Sequence, residues 1–273
     1  MRAGFIGTGS MGSILIEAFI KSGALKPQEV TAFNRSYDKA KRLADKYPGL
    51  KIASTNTELV QESDIVFLCV KPLEYKPVID EIKSVVKSSQ TIVSITSPVQ
   101  LSQLEHHLSA KVAKVIPSIT NYMLSGATLC MYGESMSAHD QEELEDLLRY
   151  ISTPIRTKET YTRIISDISS CGPAFVAYFL EQFIQAAVEE TGIPLDQTIH
   201  LASEMLLGTA RLLTDGDLTP EALKSRVSVP GGITAEGLRL MEREMNGMFH
   251  RLIHVTHAKY DEDVEKVSDL LQY

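Results

Sequence analysis

The hydrophobic pattern of this chain changes character once. Through the first part, short apolar runs alternate with amphipathic stretches. Ala3-Gly4-Phe5-Ile6, Val30-Thr31-Ala32-Phe33, Thr91 to Ile95 and Val112 to Ile116 read as strands, with a brief one near Lys51 to Ala53. Asp64-Ile65-Val66-Phe67-Leu68-Cys69-Val70 is apolar on both faces, as expected of a central parallel strand covered by helices. Between these runs lie helical signals: Ser13 to Ile20, a polar helix from Tyr37 to Tyr47 stopped by Pro48-Gly49, and a short helix opening at Asn56 with the asparagine as its cap. Two more run through Ile79 to Val86 and from Leu101 to Leu108. A less regular part, Ala127 to Met131, leads to an acidic helix, Ala138 to Tyr150, and a last strand near Ile155. Strands alternating with helices at this spacing predict an α/β fold with a Rossmann-like, doubly wound sheet.

From about Glu159 the strand pattern stops and nearly every signal is helical. Pro173 is placed at a helix start, and the helix from Ala174 runs to a glycine stop at Gly192. A second covers Leu195 to Leu213. Thr219-Pro220-Glu221 opens a short helix, and two more follow Pro230-Gly231-Gly232, from Ala235 to Met245 and from Phe249 to Leu271. The loss of strands sets the expected division at 1–158, a dinucleotide-binding domain, and 159–273, an all-helical C-terminal domain. At helical spacing the aromatic and Met side chains of this half read as core or subunit interface. Two long apolar helices in so small a unit carry more oily surface than it can cover alone, so a homodimer is expected through this half.

The first chemistry is at the amino terminus, where the apolar run breaks into Gly7-Thr8-Gly9-Ser10-Met11-Gly12 and then a helix. In this G-x-G-x-x-G pattern Gly7 makes the tight turn, Gly9 lets backbone approach a pyrophosphate, and Gly12 lets helix and sheet lie close. The phosphates would sit at a helix N-terminus, where amide groups are unpaired. The second strand ends in Asn34-Arg35-Ser36, where an NAD site would place an acid on the ribose 2′-hydroxyl. A guanidinium flanked by an amide and a hydroxyl, with Lys39 one turn on, suits a 2′-phosphate, so NADP(H) is favoured over NAD. A solvated charge opening a helix is the structural alternative for Arg35.

Composition narrows the rest. With 273 residues, 44% hydrophobic and 23% charged, the chain is of ordinary globular make-up. A net charge of −8 argues against a nucleic-acid partner. No apolar run approaches bilayer length and Met1-Arg2 leads straight into the first strand, so neither a membrane span nor a signal peptide is expected. Cys69, Cys130 and Cys171 are odd in number and widely spaced, which fits neither a disulfide framework nor a zinc site and suggests a reducing, cytoplasmic setting. His106, His107, His250, His254 and His257 lack a matching set of acids or thiols and read as surface or interface residues, so no metal site is expected.

Together these landmarks resemble the pyrroline-5-carboxylate reductase family along the whole chain. The match is carried by the N-terminal glycine loop, Asn34-Arg35-Ser36, Val70-Lys71-Pro72, Ser170-Cys171-Gly172-Pro173-Ala174-Phe175 and Pro230-Gly231-Gly232-Ile233-Thr234. The resemblance implies an N-terminal NAD(P)H domain, a C-terminal helical domain that interlocks with a second subunit, and reduction of a cyclic imine, 1-pyrroline-5-carboxylate, to L-proline. It places Asn56 against the adenosine ribose, Val70-Lys71-Pro72 along the nicotinamide with the loop at Pro117, and the substrate at Val229, Gly231, Gly232, Ile233 and Thr234. The residues support this chemistry directly. A side-chain-free loop entering a helix offers N–H groups to a carboxylate, and the Thr234 hydroxyl can donate to an imine nitrogen. A plain helix cap is the alternative for Thr234, and a solvated lysine closing a strand the alternative for Lys71. A substrate arriving as an iminium needs no separate acid, consistent with finding no Ser/His/Asp set.

Three departures set this chain apart. The family's Met-Pro-Asn-Thr-Pro loop is Ile116-Pro117-Ser118-Ile119-Thr120, its Ala-Ala-Gly is Thr96-Ser97-Pro98, and its serine before the substrate-loop proline is Val229, with Ile233 after the glycines. These changes resemble the divergent competence-operon (ComER-type) branch of the family in spore-forming bacteria, which implies a role in developmental regulation. Two functions therefore stand: an imine reductase, or an altered paralogue that keeps the dinucleotide site and acts through a protein partner. A β-hydroxyacid dehydrogenase ranks last, because Ser169 to Phe175 holds no lysine to serve as base.

Overall fold

The computed structural model describes residues 1–271; positions 272 and 273 of the expected C-terminal domain lie outside them. One sheet is built from β1 (Ala3–Ile6), β2 (Val30–Phe33), β3 (Lys51–Ile52), β4 (Ile65–Leu68), β5 (Thr91–Ser94), β6 (Lys111–Ile116), β7 (Ala127–Tyr132) and β8 (Thr153–Arg156). Their order is β3-β2-β1-β4-β5-β6-β7-β8. The strands through β6 are parallel, β7 pairs antiparallel to β6, and β8 runs parallel to β7. The chain winds outward in one direction from β1 to β3 and in the other from β4, so the switch point lies between β1 and β4, where open α/β sheets bind ligands. Packed with the sheet are α1 (Ser10–Lys21), α2 (Tyr37–Lys46), α3 (Asn56–Glu62), α4 (Tyr75–Ile82), α5 (Leu101–His107) and α6 (Ala138–Arg149).

Both faces of the sheet are buried, which explains the unbroken apolar runs. One face gathers Phe5, Phe19 and Phe67, all fully buried, with the rings of Phe5 and Phe67 stacked 4.9 Å apart. The other gathers Leu68, Tyr75, Ile79, Ile92 and Leu104. Tyr75 is the largest side chain wholly inside, and its hydroxyl donates to the Leu68 carbonyl at 3.0 Å and meets Ser94 Oγ at 2.9 Å, so the ring is buried without an orphaned polar group.

Beyond the sheet come α7 (Thr162–Ser166), α8 (Gly172–Thr191), α9 (Leu195–Thr214), α10 (Pro220–Val227), α11 (Ile233–Glu244) and α12 (Met248–Leu270). The chain forms two compact units, one of residues 1–173 together with 255 onward, the other of residues 174–254. The first extends past the loss of strands because the end of α12 belongs to it. Val267 and Leu271 enter the core cluster on the Leu68 face, and Ser268 accepts from Gln103 Nε2 at 3.3 Å. In residues 174–254 Thr198 is the only buried residue, while Tyr178, Phe183, Leu201 and Val229 are all more than half exposed.

Several local expectations are corrected. The cap of α3 is Thr55, whose hydroxyl accepts from Glu58 N–H at 3.0 Å, so Asn56 is the first helical residue. The helix expected at Ile79 to Val86 runs from Tyr75 to Ile82, since Pro77 is tolerated in a first turn, where its missing N–H has no helical partner to lose. Ala127 to Tyr132 is a regular strand, held by β6 and β8 on its two sides. Pro173 does not open a helix after a loop. Helical backbone is continuous from Thr162 to Thr191 through a π-helical turn, Asp167–Cys171, whose wider hydrogen-bond spacing lets a residue without an N–H follow it.

At the N-terminus of α6, Ser137 caps Asp140 N–H while Asp140 accepts from Ser137 and from Lys111 on β6. The Lys111 ammonium, followed by the Ser137 hydroxyl, holds the Asp140 carboxyl down at about 2. A depressed carboxyl contributes stability above its unfolded pKa and loses it as pH falls through the folded one. Asp140→Asn should therefore cost about 1–2 kcal/mol at neutral pH after allowance for solvent screening, and should flatten the fall in stability between about pH 4 and pH 2. Urea denaturation of both proteins across that window measures it.

Candidate functional site

The glycine loop is formed by steric necessity. Gly7 has φ +100°, and a Cβ there would lie 2.6 Å from the Cys69 carbonyl oxygen. At Gly12 a Cβ would lie 2.1 Å from the Gly7 carbonyl oxygen. Around Gly9 the space is open, with nothing within 4 Å of a built Cβ. Two of the three glycines thus press α1 and β4 together, and the third leaves room over the backbone. Gly9 is the N-cap of α1 and offers no side-chain cap, so the first-turn N–H groups are free for an anion.

The end of β2 is tied to this loop. Thr8 N–H donates to Asn34 Oδ1 at 3.0 Å, Asn34 Nδ2 donates to the Ser36 carbonyl at 3.1 Å, and Gly7 N–H donates to the Phe33 carbonyl at 2.8 Å. Arg35 is 85% exposed and reaches Glu74 at 3.1 Å. A cavity of about 420 Å³ runs along these elements, lined among others by Gly7, Gly9, Asn34, Arg35, Asn56 and Lys71. Asn56 is only 4% exposed; its Nδ2 donates to Glu81 at 2.7 Å, and its Oδ1 is buried with no hydrogen-bond partner. A buried acceptor left open beside such a cavity fits a hydroxylated ligand such as a ribose. Thr8, 3% exposed, also has an Oγ1 without a partner, and it lines a neighbouring cavity between α1 and α2.

A second cavity of about 400 Å³ continues from Gly9 past Ser10, Met11, Val70 and Lys71 to Pro117. The expected cofactor residues thus divide. Gly7, Gly9, Ser10, Met11, Asn34, Arg35, Asn56, Val70, Lys71 and Pro117 line one or both cavities. Gly12, Ser36 and Pro72 lie behind them: Gly12 in the helix-to-turn contact, Ser36 as the N-cap of α2, and Pro72 at the start of a 3-10 turn. Sequence reasoning missed Thr96, Ser97, Arg163, Ser166, Ser170 and Cys171, which also line the second cavity. The motif at Ser170-Cys171 was the available signal, and Ser170 Oγ donates to the Pro117 carbonyl at 3.0 Å. Burial of its sulfur pushes the Cys69 thiol up, so this cysteine is an inert wall. The three cysteines are free.

Val229, Gly231, Gly232, Ile233 and Thr234 form the entry to α11 in the 174–254 unit. Gly231 has φ +74°, and Gly232 N–H closes a turn on the Val229 carbonyl at 2.9 Å. The N-cap of α11 is Gly232 and has no side chain to cap with, so Thr234 is not the cap but the second helical residue, exposed in the first turn. The capping alternative for Thr234 therefore falls, because the helix begins two residues earlier than its periodicity implied.

This sheet, loop and cavity define an oxidoreductase of the dinucleotide-binding class, and residues 2–98 match the model of the "NADP oxidoreductase coenzyme F420-dependent" family. Residues 159–263 match that for pyrroline-5-carboxylate reductase dimerisation. Similar proteins include ComE operon protein 4 of Bacillus subtilis, 41% identical over 98% of both chains. Another is pyrroline-5-carboxylate reductase 2 of Bos taurus, 30% identical over 93% of this chain and 79% of that one. The crystal structure of Plasmodium falciparum pyrroline carboxylate reductase with NADP bound superposes with a TM-score of 0.84 at 25% identity, covering 100% of this chain and 98% of that one. The chain belongs to the pyrroline-5-carboxylate reductase family, an NADP-dependent oxidoreductase family. No helix among the described residues is long and apolar enough to cross a membrane.

The two kinds of glycine contact separate in mutants. Gly12→Ala should lower stability by about 2 kcal/mol or more, because the obstacle is backbone and cannot swing aside. Gly9→Ala should change stability by about 0.5 kcal/mol or less yet weaken NADPH binding at least tenfold, by filling the space above the turn. Thermal or urea melts, paired with NADPH fluorescence titration, read both.

Proposed function

We propose that this protein is an NADPH-dependent reductase of a cyclic imine bearing a carboxylate, 1-pyrroline-5-carboxylate, giving L-proline. The observation that carries the reading is the uncapped entry to α11: a Gly-Gly turn whose first-turn N–H groups have no side-chain acceptor, followed at once by a hydroxyl. In the reaction the bound NADPH supplies a hydride to the imine carbon, and the imine nitrogen ends as the amine of proline with one proton from solvent. The chain's own work is positioning. The N–H groups after Gly231 and Gly232 hold the carboxylate, and the helix dipole favours its charge. Thr234 Oγ donates to the imine nitrogen, or accepts from it when the substrate arrives as an iminium. Val229 and Ile233 give this site an apolar rim. On the cofactor side, the Gly9 turn and Ser10 and Met11 amides hold the pyrophosphate, and Asn34 and Arg35 face the 2′-phosphate, with Ser36 behind them. The open Oδ1 of Asn56 accepts from a ribose hydroxyl, and Val70, Lys71 and Pro117 flank the nicotinamide, with Pro72 behind Lys71.

In this reading residues 1–158 carry the cofactor, while 159–273 carry the substrate and the contacts of a homodimer. The exposed Tyr178, Phe183, Leu201 and Leu212 support the dimer, since a unit of this size with one buried residue cannot stand in water unaided. The protein works in the cytoplasm, where three free thiols persist.

A second reading has its own support. The relative at 41% identity bears the name ComE operon protein 4, and Val229, Ile233 and Ser118 remove polar capacity where a small charged ligand would sit. This is the altered paralogue that keeps the dinucleotide site and acts in competence or sporulation regulation through a partner.

Following NADPH and NADH oxidation side by side with pyrroline-5-carboxylate decides between them. The reductase reading expects proline formation with NADPH preferred, and a loss of about 10- to 100-fold in kcat/KM for Thr234→Ala, the worth of one hydrogen bond to a buried polar ligand. No turnover of any cyclic imine by protein that binds NADPH would leave the regulatory reading standing. Sedimentation should report a dimer, and Phe183→Asp should shift it toward monomer and aggregate.

A further inference from the structure

The cavity that runs from Gly9 past Lys71 to Pro117 ends on a wall that the cofactor assignment does not use, where Arg163, Ser166 and Ser170 stand, all within the first unit. Arg163 and Lys71 are the charged residues that line this cavity, and among the described residues no carboxylate lines it. Lys71 makes no ion pair among the described residues. Three of the wall hydroxyls are already committed: Thr96 Oγ1 donates to the Val70 carbonyl at 3.3 Å, Ser166 Oγ to that of Thr162 at 2.5 Å and Ser170 Oγ to that of Pro117 at 3.0 Å. The strong donors left are the two cations. Arg163 is held in place from several sides. Its side chain is 16% exposed, Nη2 donates to Asp167 Oδ1 at 2.8 Å and to Cys171 Sγ at 3.3 Å, and the ring of Tyr260 lies 5.9 Å from Cζ. Asp167, 7% exposed, is itself fixed, since Oδ2 accepts from Thr256 Oγ1 at 2.7 Å and lies 3.6 Å from His257 Nε2. Arg163 Nε is buried with no hydrogen-bond partner, and Nη1 has none among the described residues.

We propose that Arg163 holds an acidic group of the substrate beside the nicotinamide, a second carboxylate in addition to the one assigned to the α11 entry, so that among cyclic imines the chain prefers those with two acid groups. The inference rests on the reductase reading above and deepens it. A reduced nicotinamide is neutral and an oxidised one is cationic, so neither calls for a guanidinium; a carboxylate does. Asp167 neutralises part of the Arg163 charge without lining the cavity, and it fixes the plane of the guanidinium. Nη1 then meets the ligand in a set direction, which lowers the ordering cost of the contact. Lys71, just past β4, adds a second positive charge to the same space. A cyclic imine with a single carboxylate, taken up at α11, leaves Arg163 unanswered.

The test is a set of isotherms on the full chain loaded with NADP+, with proline, pyrrolidine-2,4-dicarboxylate and pyrrolidine-2,5-dicarboxylate as stable stand-ins for one-acid and two-acid products. The same isotherms are taken on Arg163→Gln and Arg163→Lys, and NADPH is titrated into each protein. At least one dicarboxylate is expected to bind about tenfold or more tighter than proline. Arg163→Gln should bring that ratio to within about twofold, with proline and NADPH unchanged, and Arg163→Lys should keep part of it. Because Arg163→Gln leaves the buried Asp167 without its cation, a thermal melt accompanies it, and Arg163→Gln combined with Asp167→Asn, which removes both charges, takes its place if the single variant does not fold. No advantage for either dicarboxylate in the unaltered chain overturns the proposal, and so does an advantage that survives Arg163→Gln. Equal loss of NADPH and proline in that variant would assign the guanidinium to the cofactor or to the fold and overturns it too. In each of these cases proline binding by the unaltered chain leaves the reductase reading intact. A chain that binds NADPH but none of the acids removes the reductase reading and this one together.

Discussion

The approach of Gly12 to the Gly7 carbonyl is the constraint on which the rest of the N-terminal unit turns. With hydrogen atoms in place of two β-carbons, the start of α1 lies directly against the turn after β1, and that turn against the Cys69 carbonyl at the end of β4. The contact fixes three things at once: the pitch of α1 over the sheet, the distance between the two strands at the switch point, and the direction of the free N–H groups at Gly9. Phe5, Phe19 and Phe67 lie on the buried side of the same joint, one from each of β1, α1 and β4. The aromatic cluster and the glycines thus share one task, the large side chains filling what the small ones allow to close.

That joint also explains why orphaned polar atoms can persist nearby. Asn56 Oδ1 and Thr8 Oγ1 are both buried and unpartnered, and each such group costs of the order of 1–3 kcal/mol if no ligand answers it. The Thr8 backbone is held on both sides, its N–H by Asn34 and its carbonyl by Ser13. Asn56 is held through Nδ2 by Glu81. The Asn56 amide and the Thr8 backbone are thus positioned before anything binds, which lowers the ordering cost of a ligand that supplies the missing partners.

Most of the first unit was legible because its physics is local. Strands buried on both faces give continuous apolar runs, and the glycine loop is dictated by contacts within a few residues or one neighbouring strand. Asn34 and Arg35 line the first cavity from the end of the strand beside the loop, while Ser36 is the N-cap of α2. The far wall of the second cavity was not legible: Arg163 and Ser166 come to it from α7 and Ser170 from the π-helical turn that follows, where a widened turn shifts side chains round the helix from their 3.6-residue positions. The return of α12 was also hidden. Val267 and Leu271 look like ordinary positions of an amphipathic helix, and only the tertiary structure shows that they complete the core over Leu104 and Leu108.

The helical half poses the converse case, in which the residues are legible but their environment is not contained in one chain. Ile233 is 93% exposed at the first position of α11, with Val229 and Val227 more than half exposed just before it. Covering each such side chain is worth roughly 1.5–3 kcal/mol, so three together outweigh the typical cost of ordering one short loop. A scatter of single exposed apolar residues needs no explanation, but a run of them at the mouth of an uncapped helix does. Under the proposed reading a second copy of the chain or an apolar ligand body would cover them, and in both cases the N–H groups of α11 would pass into a drier setting, where a bound carboxylate gains strength. In that reading Val229 and Ile233, where the family carries hydroxyls, would exchange side-chain hydrogen bonds for exclusion of water around backbone donors that remain.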